Sequence, residues 1–172
     1  IYAVELEYYK YQEYEIIIPK LYGAEVKKDI NFQRPNKRKK WNEALFFDEV
    51  NNKLDRKYVE AIQKLYDFSK QYAHEITWGT GSVQGSFNPK VRKISQRSLF
   101  SVFTDGTLQI NFEWLNDNDE TKRIRTLLGE ELMKIKDLAI PLNYPKRYVG
   151  IPIENWYQHV DEITSILMDI VK

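Results

Sequence analysis

Leu99-Phe100-Ser101-Val102-Phe103-Thr104-Asp105-Gly106-Thr107-Leu108-Gln109-Ile110-Asn111-Phe112 reads as two strands joined at Asp105-Gly106. An Asp-Gly pair between two apolar runs is the sequence signal of a two-residue hairpin turn, because its residues tolerate the positive φ such turns need. Upstream, Glu75 to Trp78 gives another strand signal that runs into glycines, and Val83 to Phe87 leads out of them. Four strand signals in succession predict an antiparallel meander.

Helical patterns flank the meander. A short helix is expected through Phe46, Phe47 and Val50. A stronger one runs from Asp55 to about Tyr72, with Val59, Ile62, Leu65, Tyr66 and Tyr72 at a 3.6-residue period and Asp55 as N-cap. After the strands, Asn118 or Asp119 can cap a helix whose stripe is Ile124, Leu127, Leu128, Leu132 and Ile135. Trp156, Val160, Ile163, Leu167 and Ile170 mark the last helix, and Pro141, Pro145 and Pro152 make the connection between the two an extended crossover. A run of strands between runs of helices predicts α+β architecture, an antiparallel sheet with helices packed on one face.

The front of the chain is different. Tyr2, Val4, Leu6 and Tyr8 alternate with Ala3, Glu5 and Glu7, which predicts a strand with one dry face. Tyr14 to Ile18 is a second strand, and the pair forms a hairpin across Tyr11 to Glu13. A lone hairpin is marginal in water, so this one is expected to lean on another sheet. The predicted organisation is a hairpin over 1–25, a basic linker over 26–40 and an α+β domain over 41–172. A chain that opens inside a strand reads as a piece of a longer protein.

Composition narrows the chemistry. Among 172 residues, 42% are hydrophobic and 30% charged, which is a globular balance, and the net charge is +1. The chain has no cysteine, which excludes disulfides, a thiolate nucleophile and cysteine-ligated metal, and leaves cytoplasm as the expected compartment. No apolar run is long enough for a membrane helix.

Catalytic patterns fail one by one. His74 and His159 have no second histidine at ligand spacing, although Glu162 follows His159 by three residues. Trp78-Gly79-Thr80-Gly81-Ser82-Val83-Gln84-Gly85-Ser86 matches neither a dinucleotide fingerprint nor a P-loop, and strand signal follows it where phosphate binding needs a helix. A glycine-rich strand connection explains it, with a ligand-facing loop including Asp105 as the enzymatic alternative. Glu5 and Glu7 with Lys10 approach the acid-x-Lys pattern of restriction-type nucleases, but the spacing is E-x-E-x-x-K. An exposed polar strand face is the plainer account. No catalytic residue, metal ligand or cofactor is expected.

Two basic clusters remain. Arg34, Lys37, Arg38, Lys39 and Lys40 are followed at once by Trp41, and Lys90, Arg92 and Lys93 follow Phe87, with Arg97 beyond. Cations neutralise phosphates and aromatic rings stack on bases, so these residues, with Trp41 and Trp78 as stacking groups, form the expected nucleic-acid contact. A solvated linker accounts for the same charge run.

Two resemblances bear on the reading. Trp78-Gly79 with Gly81, Gly85-Ser86-Phe87, Phe100 to Gly106, Gln109 to Phe112 and Trp114-Leu115 together resemble a domain found in many uncharacterised bacterial proteins, over about Trp41 to Lys172. Tyr2-Ala3-Val4-Glu5-Leu6-Glu7-Tyr8-Tyr9 with Ile16-Ile17-Ile18-Pro19 looks like the trailing strands of restriction-endonuclease-like, PD-(D/E)xK domains, without their acidic core. The resemblances imply an accessory domain of a nuclease-like or defence-related protein, with such a domain upstream and DNA or RNA as partner. An excess of aromatics, 12 Tyr and 4 Trp, supports a second class, a protein-interaction or oligomerisation domain.

Overall fold

A computed structural model of the chain describes residues 3–22 and 40–172 and separates into two compact units, Ile1–Lys37 and Arg38–Lys172. The division falls inside the basic stretch expected as a linker.

The first unit is an antiparallel hairpin of β1 (Ala3–Tyr11) and β2 (Tyr14–Tyr22), in register from Ala3 opposite Tyr22 to Tyr11 opposite Tyr14. Of the two turn residues only Gln12 has a positive φ, 53°, which is the pattern of a type II′ turn. With two residues in the turn, Tyr11 and Tyr14 form a hydrogen-bonded pair, so odd positions of β1 and even positions of β2 bond inward. Pro19 stands opposite Leu6 in a non-hydrogen-bonded pair. Its missing N–H therefore lies on the outer edge of β2 and costs the hairpin nothing internally.

The second unit begins with α1 (Glu43–Lys53), capped by Asn42 Oδ1 accepting from the Leu45 N–H at 2.9 Å. The next helix, α2 (Arg56–Tyr72), starts at Asp55 and buries Ile62, Leu65 and Tyr66 as its period requires. A five-stranded antiparallel sheet follows, in the order β3 (Glu75–Trp78), β4 (Ser86–Lys90), β5 (Phe100–Phe103), β6 (Leu108–Ile110) and β7 (Val149–Ile151). Chain order and spatial order coincide. The last two long helices are α3 (Asp119–Met133) and, after a single turn α4 (Ile153–Trp156), α5 (Val160–Val171).

Register explains why helices cover one face of the sheet. Trp78, Phe87, Val102, Leu108 and Ile151 are successive cross-strand partners, so their side chains project to the same side. Phe87 meets Phe46 of α1 and Tyr66 of α2 edge to face, with ring centroids 5.3 and 5.2 Å apart. The intervening positions Thr77, Ser86, Asn88, Ser101 and Gln109 form the opposite, polar face.

Four expectations change. The Asp105-Gly106 connection has three residues, not two: Phe103 N–H donates to Thr107 O and Gly106 N–H to Phe103 O, both at 2.9 Å, and Gly106 takes φ +85°. This is a tight turn closed by a left-handed glycine, which the same dipeptide also serves. Strand β4 starts at Ser86, because Val83 sits exposed in the loop. The proline-rich crossover contains β7, a strand too short to show a period. Leu127 is exposed, while Leu128 and Leu132 carry the buried stripe of α3.

Candidate protein and nucleic-acid interfaces

The first basic cluster is described only at Lys40, which is exposed; Arg34, Lys37, Arg38 and Lys39 lie outside the described residues. Trp41, expected to stack on bases, is 2% exposed. Its indole Nε1 donates to Gly81 O at 2.7 Å, and its ring occupies the space over Gly85 that a side chain there would need. The glycine-rich stretch is thus packed against a buried tryptophan. Trp78 is half-buried among Phe46, Tyr66 and Phe87, at centroid distances of 5.8 to 6.3 Å. Neither indole is presented as an open stacking platform.

The second cluster is partly neutralised. Glu75 accepts Arg92 at 3.3 Å and lies 3.9 Å from Lys90 across the β3–β4 pair. Lys93 and Arg97 are exposed and form no ion pair among the described residues. They border a concavity of about 480 Å³ between the loop after β4 and the first turn of α3. That turn is already closed by a capping box, in which Asn118 accepts from Thr121 N–H at 2.8 Å and Thr121 Oγ1 accepts from Asn118 N–H at 3.0 Å. Asp117 and Glu120 on the same rim oppose an anion. The groove holds charges of both signs, a weak phosphate seat.

The polar sheet face was not singled out from sequence, although Ser86, Asn88, Ser101 and Gln109 at alternate positions signal it. Its groups satisfy one another. Asn111 Nδ2 donates to Ser101 Oγ and Ser98 O, both at 3.1 Å, and Gln109 Nε2 donates to Asn111 Oδ1 at 2.9 Å. Asn88 Nδ2 donates to Thr77 O at 3.0 Å. Such a saturated network holds strands in register and offers little to a ligand.

No convergent acid–base site forms among the described residues around the other candidates. In β1, Glu5 and Glu7 project to one face and Lys10 to the other, because strand side chains alternate. Lys20 pairs with Glu7, and Lys10 pairs with Glu15 at 3.2 Å. His159 lies 2.9 Å from Asp137 and 3.6 Å from Glu162, tying the start of α5 to the turn after α3. Among the described residues no group of three or more His, Cys, Asp or Glu is placed to hold a metal ion, and no helix is long and apolar enough to cross a membrane.

Burial points instead to the hairpin. Its predicted dry face, Val4, Leu6 and Tyr8 with Ile17 and Pro19 opposite, is open: Leu6 is 64% and Ile17 61% exposed. The other face carries Tyr9, Tyr11, Tyr14, Ile16 and Ile18, all exposed too. Scattered exposed apolar residues are ordinary, whereas these lie side by side on a narrow ribbon. Strand periodicity revealed the pattern; the coordinates add the exposure of these described side chains.

No family model, curated protein or solved structure matches the chain.

Proposed function

We propose that this chain is a non-catalytic protein-interaction module whose β1–β2 hairpin is the docking element. The observation that carries this reading is the exposure of apolar side chains on both faces of the ribbon, from Val4 and Leu6 to Ile16 and Ile17. Burying one such side chain contributes about 1.5–3 kcal/mol, so a partner that covers several supplies the stability an isolated two-stranded ribbon lacks. The hydrogen bonds of the polar sheet face and the packed indoles of Trp41 and Trp78 support the same reading, since they commit these groups to the fold of the larger unit.

A photo-reactive amino acid placed at Leu6, with a control at Leu142, which is 86% exposed in the larger unit, tests it. Protein adducts from position 6, lost when Ile17 on the same face is changed to Asp, support docking through the hairpin. Equal labelling from both positions, or none from position 6, removes the reading.

A second reading, contact with DNA or RNA within a nuclease-like or defence-related protein, is favoured by the exposure of Lys93 and Arg97 beside the groove after β4. It predicts duplex affinity that falls with salt, with a log–log slope of about −0.9 per neutralised phosphate. A flat, weak titration that Lys93→Glu and Arg97→Glu do not alter would end it.

A further inference from the structure

We infer that the outer edge of β1 pairs antiparallel with the same edge of a second copy of this chain, with Tyr8 on the two-fold axis, to complete a four-stranded sheet. The inference rests on the interaction reading above and adds the partner and the register.

The two edges of the hairpin are not equivalent. Inward bonding at odd positions of β1 leaves the N–H and C=O groups of Val4, Leu6, Tyr8 and Lys10 pointing outward, every one able to pair. On β2 the outward groups belong to odd positions, and one of them is Pro19, which has no N–H. A proline on a strand's open side blocks addition of another strand, a device by which proteins protect sheet edges. Among the described residues the β2 edge is closed at Pro19 and the β1 edge has no strand paired to it. Strand addition is thereby directed to β1.

A second copy fits that edge because the strand's charges allow one long symmetric register. A two-fold axis relates β1 to itself, so it must pass through a residue paired with its own copy. Centred on Glu5 or Glu7, it sets that carboxylate against itself, and centred on Leu6 it sets Glu5 opposite Glu7; like charges directly opposite destabilise a sheet. Centred on Tyr9, it carries Glu5 past the strand to the turn residue Glu13. Centred on Tyr8, it sets Glu7 opposite Tyr9, Glu5 opposite Tyr11 and Leu6 opposite Lys10, with no like charges facing. Tyr9 already donates its hydroxyl to Glu7 within its own strand at 3.0 Å, so the two groups are suited to meet across the pair as well. Because Tyr8 bonds outward, the central pair is hydrogen-bonded.

The chain has no cysteine, so a single introduced one reports the register cleanly. In a hydrogen-bonded antiparallel pair the Cα atoms are about 5.5 Å apart, within the range a disulfide spans. Tyr8→Cys is expected to give a disulfide-linked dimer under mild oxidation. Ile17→Cys, on the same face of the other strand and similarly exposed, is expected to form no disulfide-linked dimer. Sedimentation of the unmodified chain should show a mass doubling with concentration that Leu6→Pro abolishes. That proline would remove only an outward N–H, so the cross-strand NMR contacts of the hairpin should persist. Equal cross-linking at positions 8 and 17, or a monomer at every concentration with Tyr8→Cys remaining reduced, would overturn the inference. If photo-adducts from position 6 then still join the chain to a different protein, self-pairing falls and the interaction reading stands; if those also vanish, both fall.

Discussion

Trp41 donates its indole N–H to the carbonyl oxygen of Gly81 at 2.7 Å while its ring lies over Gly85, so one side chain holds two points of the glycine-rich connection between β3 and β4. The residue next to the basic run is therefore committed to packing this connection. Gly85 is there because a ring approaches the backbone closely, while a β-carbon at Gly79 would meet Ser86 and one at Gly81 the Gln84 carbonyl; these are packing requirements and not a phosphate cradle.

A side chain at position 85 would meet the Trp41 ring directly. Gly85→Ala is expected to destabilise the larger unit by about 1–3 kcal/mol, the usual cost of overpacking. Trp41→Ala should cost about 3–5 kcal/mol through the cavity it leaves. Urea unfolding followed by tryptophan fluorescence measures the first, and unfolding followed by circular dichroism the second.

At the same end of the sheet, in the β5–β6 turn, Trp156 Nε1 donates to Gly106 O at 2.9 Å, and a β-carbon at Gly106 would press on Ile153. Trp156→Phe keeps most of the volume but leaves a buried carbonyl unsatisfied, and should cost about 1–3 kcal/mol. Gly106→Ala should cost more than a typical loop substitution, because φ +85° is also unfavourable for alanine. Thermal unfolding of the two variants checks both effects.

Burial, followed by a hydrogen bond and charge repulsion from Glu43, holds the Tyr66 hydroxyl well above its ordinary value of 10.0. The folded state therefore keeps this proton when the unfolded chain has released it. The stabilisation is complete below about pH 10 and is lost as pH rises toward the folded value. Stability should fall above pH 10 by up to about 1.4 kcal/mol per pH unit for this group. Tyr66→Phe should reduce that alkaline decline, leaving the contribution of Tyr144, whose pKa burial also raises. Denaturant titrations at a series of alkaline pH values make the comparison.

Much of the fold was legible because the larger unit follows simple periods. Ile62, Leu65 and Tyr66 recur at helical spacing and are buried; Phe100, Val102, Leu108 and Ile110 alternate and are buried. The α+β class, the antiparallel order of the sheet and the Asn118 cap follow from such signals. Strand β7 was hidden because three residues among prolines carry no measurable period, and its pairing with β6 is decided by distant chain. The extra residue in the Thr104–Gly106 turn was hidden because Asp-Gly suits both turn lengths. The site was legible only in part. Trp41 after a basic run looks the same in sequence whether it faces solvent or the core, since burial is a tertiary property. The apolar alternation of β1 was plain, whereas the closed edge at Pro19 emerges only from its register against Leu6.

The lone ribbon also makes a claim about its turn. Gln12 holds φ 53°, a conformation that costs a non-glycine residue about 1–2 kcal/mol. Gln12→Gly should relieve that cost and strengthen the cross-strand contacts of the hairpin, seen as larger Tyr9–Ile16 chemical-shift dispersion by NMR.

Residue-resolved amide hydrogen exchange along β1, recorded over a concentration series, tests the central claim most directly. Glu7 and Tyr9 bond within the hairpin, whereas Leu6 and Tyr8 present their N–H groups outward. The account predicts that Leu6 and Tyr8 become as protected as Glu7 and Tyr9 when the chain associates, while Glu15 and Ile17 on the β2 edge stay fast. Leu6 and Tyr8 exchanging as free amides at every concentration, beside protected Glu7 and Tyr9, would show a hairpin that stands alone and would contradict it.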